Sequence, residues 1–363
     1  MPVPVADPRR GVIALRSELD AAVARVLDSG RYVLGQEHES FEAELAEYVG
    51  VRHCVGLASG TDALEIALES LVCREGDEVI TAANAGFYST AAAHRAGMRV
   101  RYADVDPDTL TLSAATVEEA LTRDTRAVIV THLYGLLAEI EAIVELCRAR
   151  EVAVVEDCAQ AAGAKRNGRG AGSFGDAGAF SFYPTKNLPA LGDGGAIVTN
   201  DAGVAERARK LRQYGWEEKY RVTVPGGGNS RLDELQAAIL RTRLPYLDAW
   251  NERRRSIVAR YVEAAPPAAG RMVRLDGEDY VAHLAVLLSV DRDAIRTRLQ
   301  AAEIGTDIHY PIPDHRQPLW GDALADVELP VTERAAGHVV TLPCFPELAD
   351  NEVSRVCEVL NEP

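Results

Sequence analysis

Apolar residues recur at helical spacing from Leu15 to Leu27, and Asp28-Ser29-Gly30 supplies the stop. A second helical stretch, Ser40 to Tyr48, leads into the short apolar run Val51 to Leu57. After the small polar turn Ala58-Ser59-Gly60-Thr61-Asp62, helical spacing resumes from Ala63 to Leu71. The pattern then alternates. Strand-like runs at 78–81, 99–103, 127–132 and 152–156 are separated by helical patterns at 89–96, 115–121 and 137–149. Runs at 177–181 and 195–198 add two further strands. Repeated strand–helix units predict an α/β fold with a mostly parallel sheet covered by helices. Sites in such sheets collect at the carboxyl ends of the strands.

Beyond Asp201 the alternation stops. Helical spacing over 202–214 and 231–247, continuing past Pro245 towards Arg260, carries the chain away from the sheet. The Pro- and Gly-containing stretch 264–270 reads as a linker. A strand at 283–289, a helix at 292–302 and a last helix at 351–360 follow. The expected organisation is a large α/β domain over 1–248 and a smaller C-terminal α+β domain over 249–363.

Composition changes little in this picture but excludes several functions. The chain has 363 residues, 47% hydrophobic and 26% charged, with a net charge of −16. That balance repels a nucleic-acid backbone. Six scattered cysteines (Cys54, Cys73, Cys147, Cys158, Cys344 and Cys357) form no C-x-x-C pair, which argues against a zinc site and a disulfide framework and fits a reducing cytoplasm. The N-terminus has no apolar signal core, and the apolar stretch 281–290 is too short to span a bilayer.

The candidate chemistry centres on Lys186, which follows the strand at 177–181 and precedes Gly192-Asp193-Gly194-Gly195. Upstream, the strand at 152–156 ends in Glu156-Asp157. A lysine and an aspartate at strand ends are what pyridoxal phosphate requires: the amine bonds the aldehyde, and the carboxylate keeps the pyridine nitrogen protonated. Gln160 lies three residues past Asp157, where its amide could meet the ring hydroxyl. Gly60-Thr61 at a helix start reads as a phosphate cradle or as a plain cap. Phe87 and Tyr88 offer aromatic faces for a planar ring, or simply core packing. The run Gly170-Ala171-Gly172-Ser173-Phe174-Gly175 matches G-x-G-x-x-G but precedes a strand, so it reads as a flexible loop and not as a dinucleotide fingerprint.

With these residues assembled, the chain resembles the DegT/DnrJ/EryC1/StrS family of pyridoxal phosphate sugar aminotransferases over nearly its whole length. The resemblance rests on Ser59-Gly60-Thr61-Asp62-Ala63-Leu64, Glu156-Asp157-Cys158-Ala159-Gln160, Ser181-Phe182-Tyr183-Pro184-Thr185-Lys186-Asn187-Leu188 and Asn229-Ser230-Arg231-Leu232-Asp233-Glu234-Leu235-Gln236, in that order. It implies a fold-type I aminotransferase that works as a homodimer with shared active sites. It makes Lys186 and Asp157 catalytic and assigns the phosphate to Gly60, Thr61 and Ser181, with Asn229 reaching it from the partner subunit. Relatives that replace the lysine with histidine are dehydratases; lysine here implies transamination, with L-glutamate as donor and a nucleotide-linked ketosugar as acceptor. The family's aromatic stacker corresponds to Gly86, which leaves Phe87 or Tyr88 for that role, with Phe87 preferred. Pro189 and Ala162 also depart from the family's usual glycine and histidine.

The lysine loop and the turn Ile308-His309-Tyr310-Pro311-Ile312-Pro313 resemble the branch that aminates thymidine-diphosphate-linked 3-keto-6-deoxyhexoses. This places Tyr183, His309 and Tyr310 against the substrate, although the latter two would equally suit a tight proline-bounded turn. A 4-ketosugar or keto-cyclitol aminotransferase is the nearest alternative. A regulatory protein that binds the cofactor or a sugar without catalysis is the alternative from another class.

Overall fold

The computed structural model describes residues 2–71, 74–273 and 277–362, so Cys73 lies outside the described residues. Seven strands build the central sheet: β1 (His53–Leu57), β2 (Glu78–Ala82), β3 (Arg99–Ala103), β4 (Thr125–Thr131), β5 (Ala153–Asp157), β6 (Ala177–Ser181) and β7 (Gly195–Thr199). Their order is β1-β7-β6-β5-β4-β2-β3. Only β7 runs against the rest, pairing antiparallel with both β1 and β6.

The sheet is buried on both faces, as parallel sheets must be. Along β4, Val128 and Val130 join the core on one face while Ala127 and Ile129 join the core on the other. This two-residue alternation is the pleat expressed as packing. A separate core surrounds a three-stranded antiparallel sheet, β8 (Arg271–Met272), β9 (Ala285–Leu288) and β10 (Val339–Leu342). The helices Leu247–Ala264 and Asp350–Asn361 cover it through Ile257, Tyr261, Val353 and Val356.

The expected helix over 231–260 is broken. It ends at Arg243, passes through a 3-10 turn at Leu244–Tyr246, and resumes as Leu247–Ala264. Pro245 lacks the N–H a continuous helix needs. The expected boundary at 248/249 falls in the first turn of that second helix.

Several elements escaped the pattern reading, among them β8, β10 and two helices. Helix α1 (Pro8–Ala14) buries no residue, so it carries no apolar stripe; the helix Pro330–His338 buries only Thr332 and Ala335. Around α1 the N-terminal segment is tied to the C-terminal part of the chain. Val3 bridges Ile304, and Arg10 forms a two-pronged ion pair with Glu352 at 2.6 and 2.8 Å. Helices α2 (Arg16–Ser29) and α3 (Gln36–Val49) follow. Among the described residues, no helix is long and apolar enough to cross a membrane.

Candidate active site

A cavity of about 630 Å³ opens at the carboxyl ends of the strands. Ser59 follows β1, Thr131 ends β4, Asp157 ends β5, Ser181 ends β6, and all four line it with Lys186. Strands distant in sequence thus converge on one rim.

The turn after β1 becomes helix α4 (Gly60–Ser70). The Ser59 side chain caps this helix by accepting the Asp62 N–H at 3.1 Å. The Gly60 and Thr61 N–H groups, at the first helical positions, have no intrahelical acceptor and carry the positive end of the dipole. Glycine is required at 60 by close approach: a Cβ there would meet Ser181 Cβ at 2.6 Å. The contact sets the Ser181 hydroxyl beside these N–H groups, a cradle that fits a phosphate.

Asp157 is buried, and three donors hold its carboxylate. Thr131 Oγ1 donates at 3.1 Å, Ser89 Oγ at 3.4 Å and the Ala159 N–H at 3.1 Å. Lys186 is partly accessible in the same cavity. Desolvation pulls its amine down to about 8, against the opposing pull of the Asp157 charge. Gln160 Oε1 accepts the Tyr134 N–H at 2.6 Å while its Nε2 donates to the Tyr310 hydroxyl at 3.2 Å.

The structure separates Phe87 from Tyr88. Phe87 caps helix α5 (Tyr88–Arg95) in a left-handed conformation, φ 71°, and its ring turns away to pack on Trp320 at 6.2 Å. Of the two candidate stacking rings, Tyr88 lines the cavity and Phe87, the one preferred from the sequence, does not. The buried Asp314 fixes this turn by accepting the Phe87 N–H and the Thr90 hydroxyl, each at 2.9 Å. The Tyr310 ring lies against Gly86, where a Cβ would meet it at 2.7 Å.

Tyr183, His309 and Tyr310 also line the cavity. His309 is braced by Thr341 Oγ1 at 2.8 Å, and burial lowers its imidazole pKa. Asn229 is exposed, pairs through its backbone with Gln213, and does not line this chain's cavity. Thr131 and His283 are among the lining residues that carry no local sequence signal as site residues, and His283 Nδ1 contacts Asn187 Oδ1 at 2.9 Å. Burial, and then the charges of Lys186 and Arg254, push the His283 pKa well below the usual histidine value. Val5, Ala6 and Asp7 of the N-terminal segment complete the wall.

The Gly170–Gly175 loop is not the expected flexible connection. Residues 170–174 are buried, and the N–H groups of Gly172, Phe174 and Gly175 donate to the Glu156 carboxylate at 2.7–2.9 Å. His132 Nε2 adds a fourth contact at 3.0 Å, with its Nδ1 accepting the Ala138 N–H. His132, Glu156 and Cys158 are close enough together to suggest a metal, but the histidine and the carboxylate are spent on these bonds.

A parallel sheet with one reversed strand, a rim lysine facing an aspartate and a helix-start phosphate cradle together define a fold-type I, cofactor-dependent transferase. Residues 14–361 match the model of the DegT/DnrJ/EryC1/StrS aminotransferase family, and the chain belongs to that family. It is 44% identical to the dTDP-3-amino-3,4,6-trideoxy-alpha-D-glucose transaminase of Streptomyces venezuelae, over 99% of this chain and 96% of that protein. Among solved structures it resembles S. venezuelae DesV in complex with a ketimine intermediate, with a TM-score of 0.94, 43% identity, and 99% and 98% of the two chains covered. It also resembles NtdA of Bacillus subtilis with bound cofactor PMP, with a TM-score of 0.90, 32% identity, and 95% and 80% covered.

Proposed function

We propose that the protein is a pyridoxal phosphate-dependent aminotransferase that moves an amino group from L-glutamate to the 3-keto carbon of a thymidine-diphosphate-linked 6-deoxyhexose. The observation that carries this reading is Lys186 and Asp157 in one cavity with the Gly60 cradle, in a chain so similar to a dTDP-sugar transaminase. When bound, the cofactor supplies an electron sink for charge at the reacting carbon.

The chain's residues supply the rest. The Gly60 and Thr61 N–H groups and the Ser181 hydroxyl hold the phosphate. Asp157, itself fixed by Thr131, Ser89 and Ala159, holds the proton at the ring nitrogen. Tyr88 covers a ring face, and Gln160 orients the ring oxygen. With a pKa near 8, Lys186 has a neutral fraction at neutral pH and moves a proton to and from the reacting carbon. Tyr183, His309 and Tyr310 bound the space left for the sugar.

Product identification tests this reading. The protein is incubated with pyridoxal phosphate, glutamate and a panel of 3-keto and 4-keto thymidine-diphosphate sugars. Amination at the 3 position is expected; amination only at the 4 position would keep the chemistry and overturn the branch. The shared site is tested by mixing Lys186→Ala with Asn229→Ala protein. If Asn229 serves the partner's site, mixed dimers hold one intact site and partial activity returns; no recovery despite subunit exchange would count against it.

A further inference from the structure

Among the described residues three arginines are buried: Arg212, Arg243 and Arg254, with 7%, 2% and 5% of their surface exposed. Buried charges are normally paired, because an unpaired one loses its hydration without compensation. Arg212 obeys the rule, with Glu42 at 2.6 Å. Among the described residues, Arg243 and Arg254 have no carboxylate oxygen within 4.0 Å. Only neutral carbonyls hold them: Arg243 Nη1 donates to Pro189 O and Ala190 O, and Arg254 Nη1 to His283 O and Cys344 O. The Nε of each is buried without a partner. These two, and not Arg212, line the cavity.

We propose that Arg243 and Arg254 form an anion subsite of this cavity that receives a carboxylate of the dicarboxylic amino donor. The inference deepens the aminotransferase reading above and rests on it. Guanidinium groups match a carboxylate through paired N–H donors. Burial draws the pKa of both down, and Glu347, which also lines the cavity, opposes that fall by charge without occupying the fork. A single residue, His283, links Arg254 to Lys186. Arg254 bonds its backbone oxygen, and its imidazole lies in the field of both cations. Lys186, Arg243 and Arg254 line one cavity, and a small diacid whose amine meets Lys186 has a second carboxylate free to pair with a guanidinium of that lining. A sugar diphosphate is held off from the reacting 3-carbon by the hexose ring, which makes it the poorer match to so enclosed a pair.

The test is calorimetry of the holoenzyme with glutarate, butyrate and inorganic pyrophosphate, together with steady-state kinetics of Arg243→Met and Arg254→Met. Glutarate should bind at least about tenfold more tightly than butyrate, and each substitution should remove most of that difference. The KM for glutamate should rise at least about tenfold while the KM for the nucleotide sugar stays within about twofold. Loss of pyrophosphate binding with a raised sugar KM would overturn the proposal in favour of the diphosphate. Unchanged glutarate affinity would reduce the arginines to structural groups. If either variant fails to fold, the unmodified enzyme decides: equal use of glutamate and its γ-methyl ester overturns the subsite. Failure to aminate any ketosugar would leave the glutarate result standing, so the two readings fail separately.

Discussion

Two glycine-bearing turns of this molecule aim backbone N–H groups outward, and they differ in what meets them. One, at residues 170–175, is already filled: the chain's own Glu156 accepts from Gly172, Phe174 and Gly175. The other, Ser59-Gly60-Thr61 at the start of α4, opens into the cavity beside Lys186. The glycine-rich motif with the better-known spacing is thus the one closed on the chain's own carboxylate, and the less conspicuous turn is the one that opens into the cavity. Glycine spacing reports where backbone comes close to something; what it approaches decides the role.

Substitutions separate the two turns by their readouts. At the open side, Lys186→Ala removes the only lysine that lines the cavity among the described residues and should abolish turnover while far-ultraviolet circular dichroism stays unchanged. Amination at a near-normal rate would overturn the assignment. Gly60→Ala forces a Cβ against Ser181 and should weaken pyridoxal phosphate binding by about a hundredfold, with urea stability little changed. Glu156→Gln, at the filled side, sets an amide NH2 among N–H donors and should cost about 3 kcal/mol in urea denaturation. Its kcat at saturating cofactor should stay within a few fold; a large loss of kcat without loss of stability would break the contrast. The smallest effect concerns the ring stacker. Tyr88→Ala should lower cofactor affinity about tenfold, whereas Phe87→Ala should leave it nearly unchanged. The reverse order would restore Phe87 to that role.

The legible parts of the fold and site are those written locally. Strand β3 occupies the residues its apolar pattern predicts, and β5 ends on Asp157. Lys186, Asp157, Gln160, Gly60, Thr61 and Ser181 lie in or beside elements whose periodicity places them at one rim, and the structure gathers all six in one cavity. What escaped the sequence depends on distant partners or on single backbone angles. The orientation of β7 is set by pairing with β1 and β6, which no local pattern encodes. Which of two adjacent aromatics faces the cavity turns on the φ of Phe87, fixed by Asp314 more than two hundred residues later. The order of the 170–175 loop depends on Glu156 in the strand before it, and the role of His283 on Asn187 and Lys186. In each case the deciding contact joins segments that sequence reading treats separately.

The contact between Tyr310 and the bare backbone of Gly86 also bears on how this cavity can evolve. Any side chain at 86 displaces the Tyr310 ring, which receives the Gln160 amide through its hydroxyl. The two positions are therefore epistatic. An aromatic at 86 becomes tolerable only after the residue at 310 has shrunk, and a large residue at 310 survives only beside glycine. A mutational path between the two arrangements must pass through the small–small intermediate, in which Gln160 has lost its hydroxyl partner.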